Sequence, residues 1–243
     1  MEPADFLAYL RVDGPAVLGA GSRAPSAPVP SCPEWDAQAL VGHLAGAFWW
    51  VEAMVRERAT DVGAFADKPE EWDALSAWYD EGLLALLTAL EQVGPDELVW
   101  NWSVMGPGSA RFWHRRVAHE TSVHRWDIEQ AFGIDNTIDA ELATDGIDEY
   151  LGIVPFWLAL APRPELSGTL GLAATDVDVA YTLHLAPEHV ERHDGLHDAD
   201  VVVRATVSDL FLWLLGRRDT TSDAIVIEGD ASVAQAWDAI SFG

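Results

Sequence analysis

Apolar residues recur at helical spacing through the first two thirds of the chain. Over residues 4–22, Phe6, Leu7, Leu10, Val17 and Leu18 share one face and predict a helix. The proline-rich stretch 24–33 breaks that pattern. Asp36 then stands at a good N-cap position, and a second helix is expected from there through His43 to about Arg58. A third reads from about Glu70 to Val93, on Trp72, Leu75, Trp78, Tyr79, Leu83, Leu86, Leu87 and Leu90. Gly-Pro pairs at both ends mark 94–110 as a loop. A further helix follows over about 111–131, ended by Gly133, and 138–160 gives another.

Beyond residues 161–166 the pattern shortens. Alternating or β-branched runs at 177–186, 200–205 and 224–228 predict strands, interleaved with helical pieces over 208–218 and 231–240. Long helices giving way to mixed short elements predict an α+β protein of two domains, a helical one over 1–160 and a small α+β one over 165–243.

Charge narrows the partners. The chain of 243 residues carries 14 Lys+Arg against 40 Asp+Glu, a net −26, and Lys68 is its only lysine. Nucleic-acid binding needs clustered cations that release phosphate counterions, so no nucleic-acid partner is expected, and an anionic membrane surface is disfavoured on the same ground. The opening residues MEPADFLAYLRVDG have acids where a secretion signal has positive charge. Apolar runs such as 153–161 fall short of the roughly 20 residues that cross a bilayer. Cys32 stands alone, so no internal disulfide forms, which suits a reducing, cytoplasmic location. Nothing in the pattern indicates an oligomeric state.

Glu120 and His124 stand four residues apart on one predicted helix and so share a face. His43 lies on an apolar stripe between Val41, Leu44 and Phe48, where an ionisable group needs a partner. Two His and one Glu on facing helices make a three-ligand metal site with one open position, as catalytic zinc uses. From spacing alone, a surface helix pair and a satisfied core histidine account for the same residues. Asp127 could accept the second ring N–H of a ligating His or pair with Arg116 or Arg125. His119 and His114 point elsewhere around the helix. His184, His189, His193 and His197 suggest a strand followed by an irregular loop with solvated histidines, in preference to a helical metal-binding stripe. Cys32 reads as a packed turn residue rather than a nucleophile. The twelve tryptophans exceed ordinary core use, though packing explains most of them.

The strings SCPEWDAQALVGHLAG (31–46) and RRVAHETSVHRWD (115–127) resemble the mycothiol-dependent maleylpyruvate isomerase family of the DinB-like superfamily, and the C-terminal stretch fits the same layout. The resemblance implies a DinB-like antiparallel helical bundle followed by a sterol-carrier-like domain. It implies zinc or another divalent metal on His43, Glu120 and His124, with mycothiol as cosubstrate. It also points to an arginine of the C-terminal domain as a catalytic residue. Arg217 matches best, Arg204 is the fallback, and a helix C-terminal cation is the competing role.

The expected function is therefore activation of a low-molecular-weight thiol for addition to a small electrophile, as an isomerase or an S-transferase. A non-catalytic binding protein that uses the C-terminal domain and a zinc-dependent hydrolase are the alternatives.

Overall fold

The computed structural model of the protein describes residues 1–103 and 105–239. They form two compact units, Met1–Asn136 and Thr137–Gly243.

The first unit is a four-helix bundle of α1 (Pro3–Gly21), α2 (Ala37–Glu57), α3 (Trp72–Gln92) and α4 (Arg111–Gln130). The N-cap expected at Asp36 is present, with its carboxylate accepting from the Ala39 N–H at 2.8 Å. Helix α2 pairs most extensively with α3, and α1 with α4. Their apolar stripes meet in a core that includes Leu10, Val17, Leu44, Phe48, Met54, Leu75, Leu86, Leu90 and Trp113. Tyr79 is fully buried there and its hydroxyl donates to the Gly14 carbonyl at 2.8 Å, which keeps the polar tip satisfied. Burial and the nearby charges of Asp80 and Asp13 push the Tyr79 phenol well above its ordinary pKa.

The segment 94–110 departs from the loop expected of it. Within it β1 (Leu98–Asn101) and β2 (Gly106–Ser109) form an antiparallel pair, with Leu98 opposite Ser109 and Asn101 opposite Gly106. Two glycines and a proline in β2 hid the strand, because its pairing is supplied by backbone rather than by side-chain pattern. The Trp100 N–H donates to the Ala59 carbonyl, and the Trp113 indole to the Trp100 carbonyl, which fastens the hairpin to the bundle.

The second unit joins α5 (Ala140–Leu160) to a five-stranded sheet of β3 (Gly168–Ala174), β4 (Ala180–Ala186), β5 (His189–Asp194), β6 (Val201–Ala205) and β7 (Val226–Gly229). The order is β5-β4-β3-β6-β7, with β3 and β6 parallel and the other neighbours antiparallel. Helices α6 (Val207–Leu214) and α7 (Ala231–Asp238) complete it. Ile240, the last residue of the predicted terminal helix, lies outside the described residues.

Helix α5 was expected with the helical domain over 1–160, yet it packs on α6 and β5 of the second unit. The contact is close, because a Cβ at Gly146 would fall 2.5 Å from the Phe211 ring. Asp148 also accepts from the Tyr181 hydroxyl and from Arg192. Central β3 went unread because GTLGLAA has one β-branched residue, Thr169, and no alternation. The histidine segment read as an irregular loop is strand β5, whose His193 faces His184 of β4 at ring centroids of 5.1 Å.

Among the described residues, no helix is long and apolar enough to cross a membrane.

Candidate metal centre

Helices α2 and α4 of the first unit bring His43, Glu120 and His124 together. Glu120 Oε1 lies 3.1 Å from His43 Nε2 and 3.3 Å from His124 Nε2, and one donor atom of each residue falls within 4.8 Å of the others. Ligands at about 2.0–2.2 Å from a tetrahedral ion stand roughly 3.3 Å apart, and both Glu120–imidazole distances are of that size, so the group could hold a divalent cation. Among the described residues this is the one group of three or more His, Cys, Asp or Glu side chains with that closeness. The site opens to one side, since the His43 and Glu120 side chains keep 39% and 32% of their surface exposed while His124 keeps 7%.

Each candidate ligand carried by α4 is also gripped from behind. Asp127, fully buried, places Oδ2 2.9 Å from His124 Nδ1 and so holds the ring with Nε2 turned to Glu120. This contact is the first of the two roles open to Asp127. The Ser31 hydroxyl donates to the other Asp127 oxygen at 2.6 Å, and Cys32 Sγ lies 3.9 Å from Oδ2. Arg116 donates to Glu120 Oε2 at 2.8 Å, which leaves Oε1 facing the two imidazoles. Trp35 forms a wall beside both rings, at centroid distances of 4.8 Å to His43 and 5.8 Å to His124.

Electrostatics follow from these contacts. Partial burial works against a charged Glu120, but hydrogen bonds from His124 and His43 and the charge of Arg116 outweigh it and hold the carboxyl well below the ordinary range. Burial likewise works against a charged His124, yet hydrogen bonds to Asp127 and Glu120 push it up to about 9. Without a cation the cluster is thus a carboxylate beside an imidazolium, and the proton on His124 stands where a metal would bind.

Ser31, Arg116 and Trp35 were not singled out from the sequence. Arg116, four residues before Glu120, is legible as a helix pair, although the sequence also offers it as one of several possible partners of Asp127. Ser31 acts across 96 residues of sequence, and no local signal marks it.

The remaining histidines stay outside the cluster. His119 is fully buried, edge-on to Phe6 at 5.8 Å, and His114 sits between the carbonyls of Ala110 and Leu90. Arg217 belongs to the second unit. It follows Gly216 (φ 72°) at the end of α6 and donates to the Leu215 carbonyl at 3.0 Å, which suits a cation at a helix C-terminus. Arg218 pairs with Asp209 and Arg204 with Glu228.

The chain matches two family models, the mycothiol maleylpyruvate isomerase N-terminal domain over residues 14–129 and the C-terminal domain of the same isomerase over 141–236. The second match begins inside α5, in keeping with the packing of that helix on the sheet. No curated protein matches the sequence closely. Among solved structures, the crystal structure of the mycothiol-dependent maleylpyruvate isomerase matches at a TM-score of 0.62 and 14% identity, over 94% of this chain and 93% of that one. A histidine-to-alanine mutant of that enzyme matches at 0.67 and 15% over the same shares. At such identity the structures speak for a shared fold, and with both domain models in order along the sequence the chain belongs to the mycothiol-dependent maleylpyruvate isomerase family.

Proposed function

We propose that the protein is a zinc-dependent enzyme that uses a low-molecular-weight thiol, mycothiol by its family, to act on a small electrophile by isomerisation or S-transfer. The observation that carries this reading is the convergence of His43 Nε2, Glu120 Oε1 and His124 Nε2 at an open face of the bundle. A divalent cation held there supplies the positive charge that favours a thiolate over a thiol at neutral pH.

The protein residues have separable tasks. Asp127 and Ser31 fix the His124 ring, Arg116 fixes the Glu120 carboxylate, and Trp35 shields the rings on one side. Addition of a thiolate to an activated double bond, rotation about the resulting single bond and expulsion of the thiolate is isomerisation. Attack without expulsion is S-transfer. The ligand set serves both. The proposal rests on residues of the first unit alone.

The test is elemental analysis of purified protein together with turnover of maleylpyruvate and model electrophiles, with and without mycothiol. About one equivalent of zinc, lost in His43→Ala and Glu120→Ala, and turnover only with the thiol are expected. Less than about a tenth of an equivalent, with full activity in both variants, would overturn the reading. Turnover without any thiol would instead establish a hydrolase.

A further inference from the structure

Three of the six helical glycines of the first unit have a close-packing reason. A Cβ at Gly14 would lie 2.6 Å from Leu83, one at Gly21 3.0 Å from Val41, and one at Gly82 2.7 Å from the Trp49 indole. Each lets a neighbouring side chain press against the helix backbone. Gly46 has no such neighbour, since a Cβ there would meet nothing within 4 Å. Its φ is not positive either, so the backbone does not require glycine. Gly19 also faces open space, but it is exposed at the end of α1, whereas Gly46 sits in the middle of α2 and is half-buried. The open space over this half-buried backbone is called the recess here. A glycine at mid-helix weakens the helix relative to alanine, and among the described residues no close neighbour requires it here.

The recess adjoins the candidate ligands. Gly46 follows His43 by three residues and precedes Trp50 by four, so all three lie on one face of α2. That face meets α4 twice. His43 meets Glu120 at 3.1 Å, and Trp50 meets Trp113, seven residues before Glu120, at ring centroids of 5.5 Å. Between those contacts α2 offers only Gly46 and the methyl of Ala47. On α4 the same interval holds Arg116, whose guanidinium reaches Glu120 and keeps 21% of its side-chain surface exposed.

We propose that the recess over Gly46 takes the carbon skeleton of the thiol whose sulfur is held at the His43–Glu120–His124 cluster, so that Gly46 sets how bulky a thiol the site accepts. The proposal rests on the thiol-dependent reading above and adds a size-selecting position to it. A substituent there lies within about one helical turn of both the ligand set and an indole, with a guanidinium at its edge. That lining suits a large ring-bearing thiol that also carries polar groups, and a two-carbon thiol leaves the recess empty.

Cobalt-loaded full-length protein tests this, because thiolate binding to cobalt gives a near-ultraviolet charge-transfer band that can be titrated without turnover. The probes are mycothiol and 2-mercaptoethanol, on the wild type, Gly46→Ala and Gly46→Leu. We expect Gly46→Leu to bind one cobalt, to weaken mycothiol about tenfold or more, and to leave 2-mercaptoethanol within about twofold. Gly46→Ala should raise Tm by about 2–4 °C and weaken mycothiol by a smaller factor, which provides a test if the leucine variant does not fold. Unchanged mycothiol affinity in a cobalt-loaded Gly46 variant would overturn the recess and leave the thiol reading standing. Equal weakening of both thiols would overturn it too, by showing that the substitution acts on the metal ligands. A wild type that binds cobalt but shows no band with either thiol would sink the thiol reading, and the recess with it.

Discussion

Replacing Asp127 with asparagine keeps the shape of the site and removes one charge, and its effect on zinc affinity should depend on pH. Asp127 Oδ2 lies 2.9 Å from His124 Nδ1 in a fully buried position. A hydrogen bond to a charged, buried acceptor contributes about 1.5–3 kcal/mol, or about 10–100-fold in affinity. The asparagine carbonyl can still accept from Nδ1, so a loss near the lower end is expected. The same carboxylate also helps raise His124 to about 9 in the metal-free protein. At pH 7 zinc must therefore displace a proton, which lowers the wild type's apparent affinity by about 100-fold relative to its value above pH 9. Asp127→Asn relaxes that competition. Glu120 is ionised throughout this range and adds no proton of its own. Competition with a chromophoric chelator at pH 7 and pH 9.5 should show a small deficit for the variant at pH 7 and a deficit of about tenfold at pH 9.5. Equal affinity of wild type and variant at pH 9.5 would refute the orienting role of Asp127. An identical ratio at the two pH values would refute the proton competition.

Two further outcomes follow from the same contacts. Ser31→Ala should weaken zinc by about three- to tenfold, because Asp127 loses the 2.6 Å bond that steadies its second oxygen, and Ser31→Thr should restore the affinity; alanine and threonine variants that behave alike in the chelator assay would show that Ser31 has no such role. In the metal-free protein, His124 has a folded pKa raised above its unfolded value of about 6.5. Its contribution to stability is thus fully present below about pH 6.5 and is lost as pH rises through about 9, an effect of at most about 3 kcal/mol. Denaturant titrations across that range should show the decline in metal-free protein and not in zinc-loaded protein, where the metal occupies Nε2.

The helices of the first unit were legible because each buries one stripe against its neighbours, so side-chain spacing carries the information. Asp36 marked the start of α2 for a local reason, a carboxylate within reach of the Ala39 N–H. The hairpin β1–β2 and the central strand β3 were not legible, because Gly106, Gly108, Gly168 and Gly171 remove the side chains on which a strand pattern depends. Helix α5 was read correctly as a helix and placed with the wrong partner. Its amphipathic face shows that it packs but not against what, and Gly146 against Phe211 is a tertiary fit. The same division runs through the candidate metal site. Spacing alone puts Glu120 and His124 on one helix face, and Arg116 lies one turn earlier on that face. Ser31, on the segment before α2, reaches Asp127 only after the bundle closes.

The charge of the site argues for a cation and then an anion, in a chain whose net charge of −26 repels anions at long range. Around His124 the protein pairs two carboxylates, Glu120 and Asp127, with one guanidinium, Arg116, and one imidazolium, so the cluster as it stands is close to neutral. Exchanging the His124 proton for a divalent cation raises the local charge by one. Bulk repulsion is screened over about 8 Å at physiological ionic strength, so a charge this close to the open face dominates the encounter at short range. One thiolate restores neutrality, whereas a neutral thiol leaves the excess in place. With a divalent cation bound as proposed, the cluster would favour the ionised form of a bound thiol through its charge balance, independently of which electrophile follows. It also explains why Arg116 is held on Glu120 Oε2: the guanidinium keeps the carboxylate ionised and Oε1 in place without occupying a ligand position.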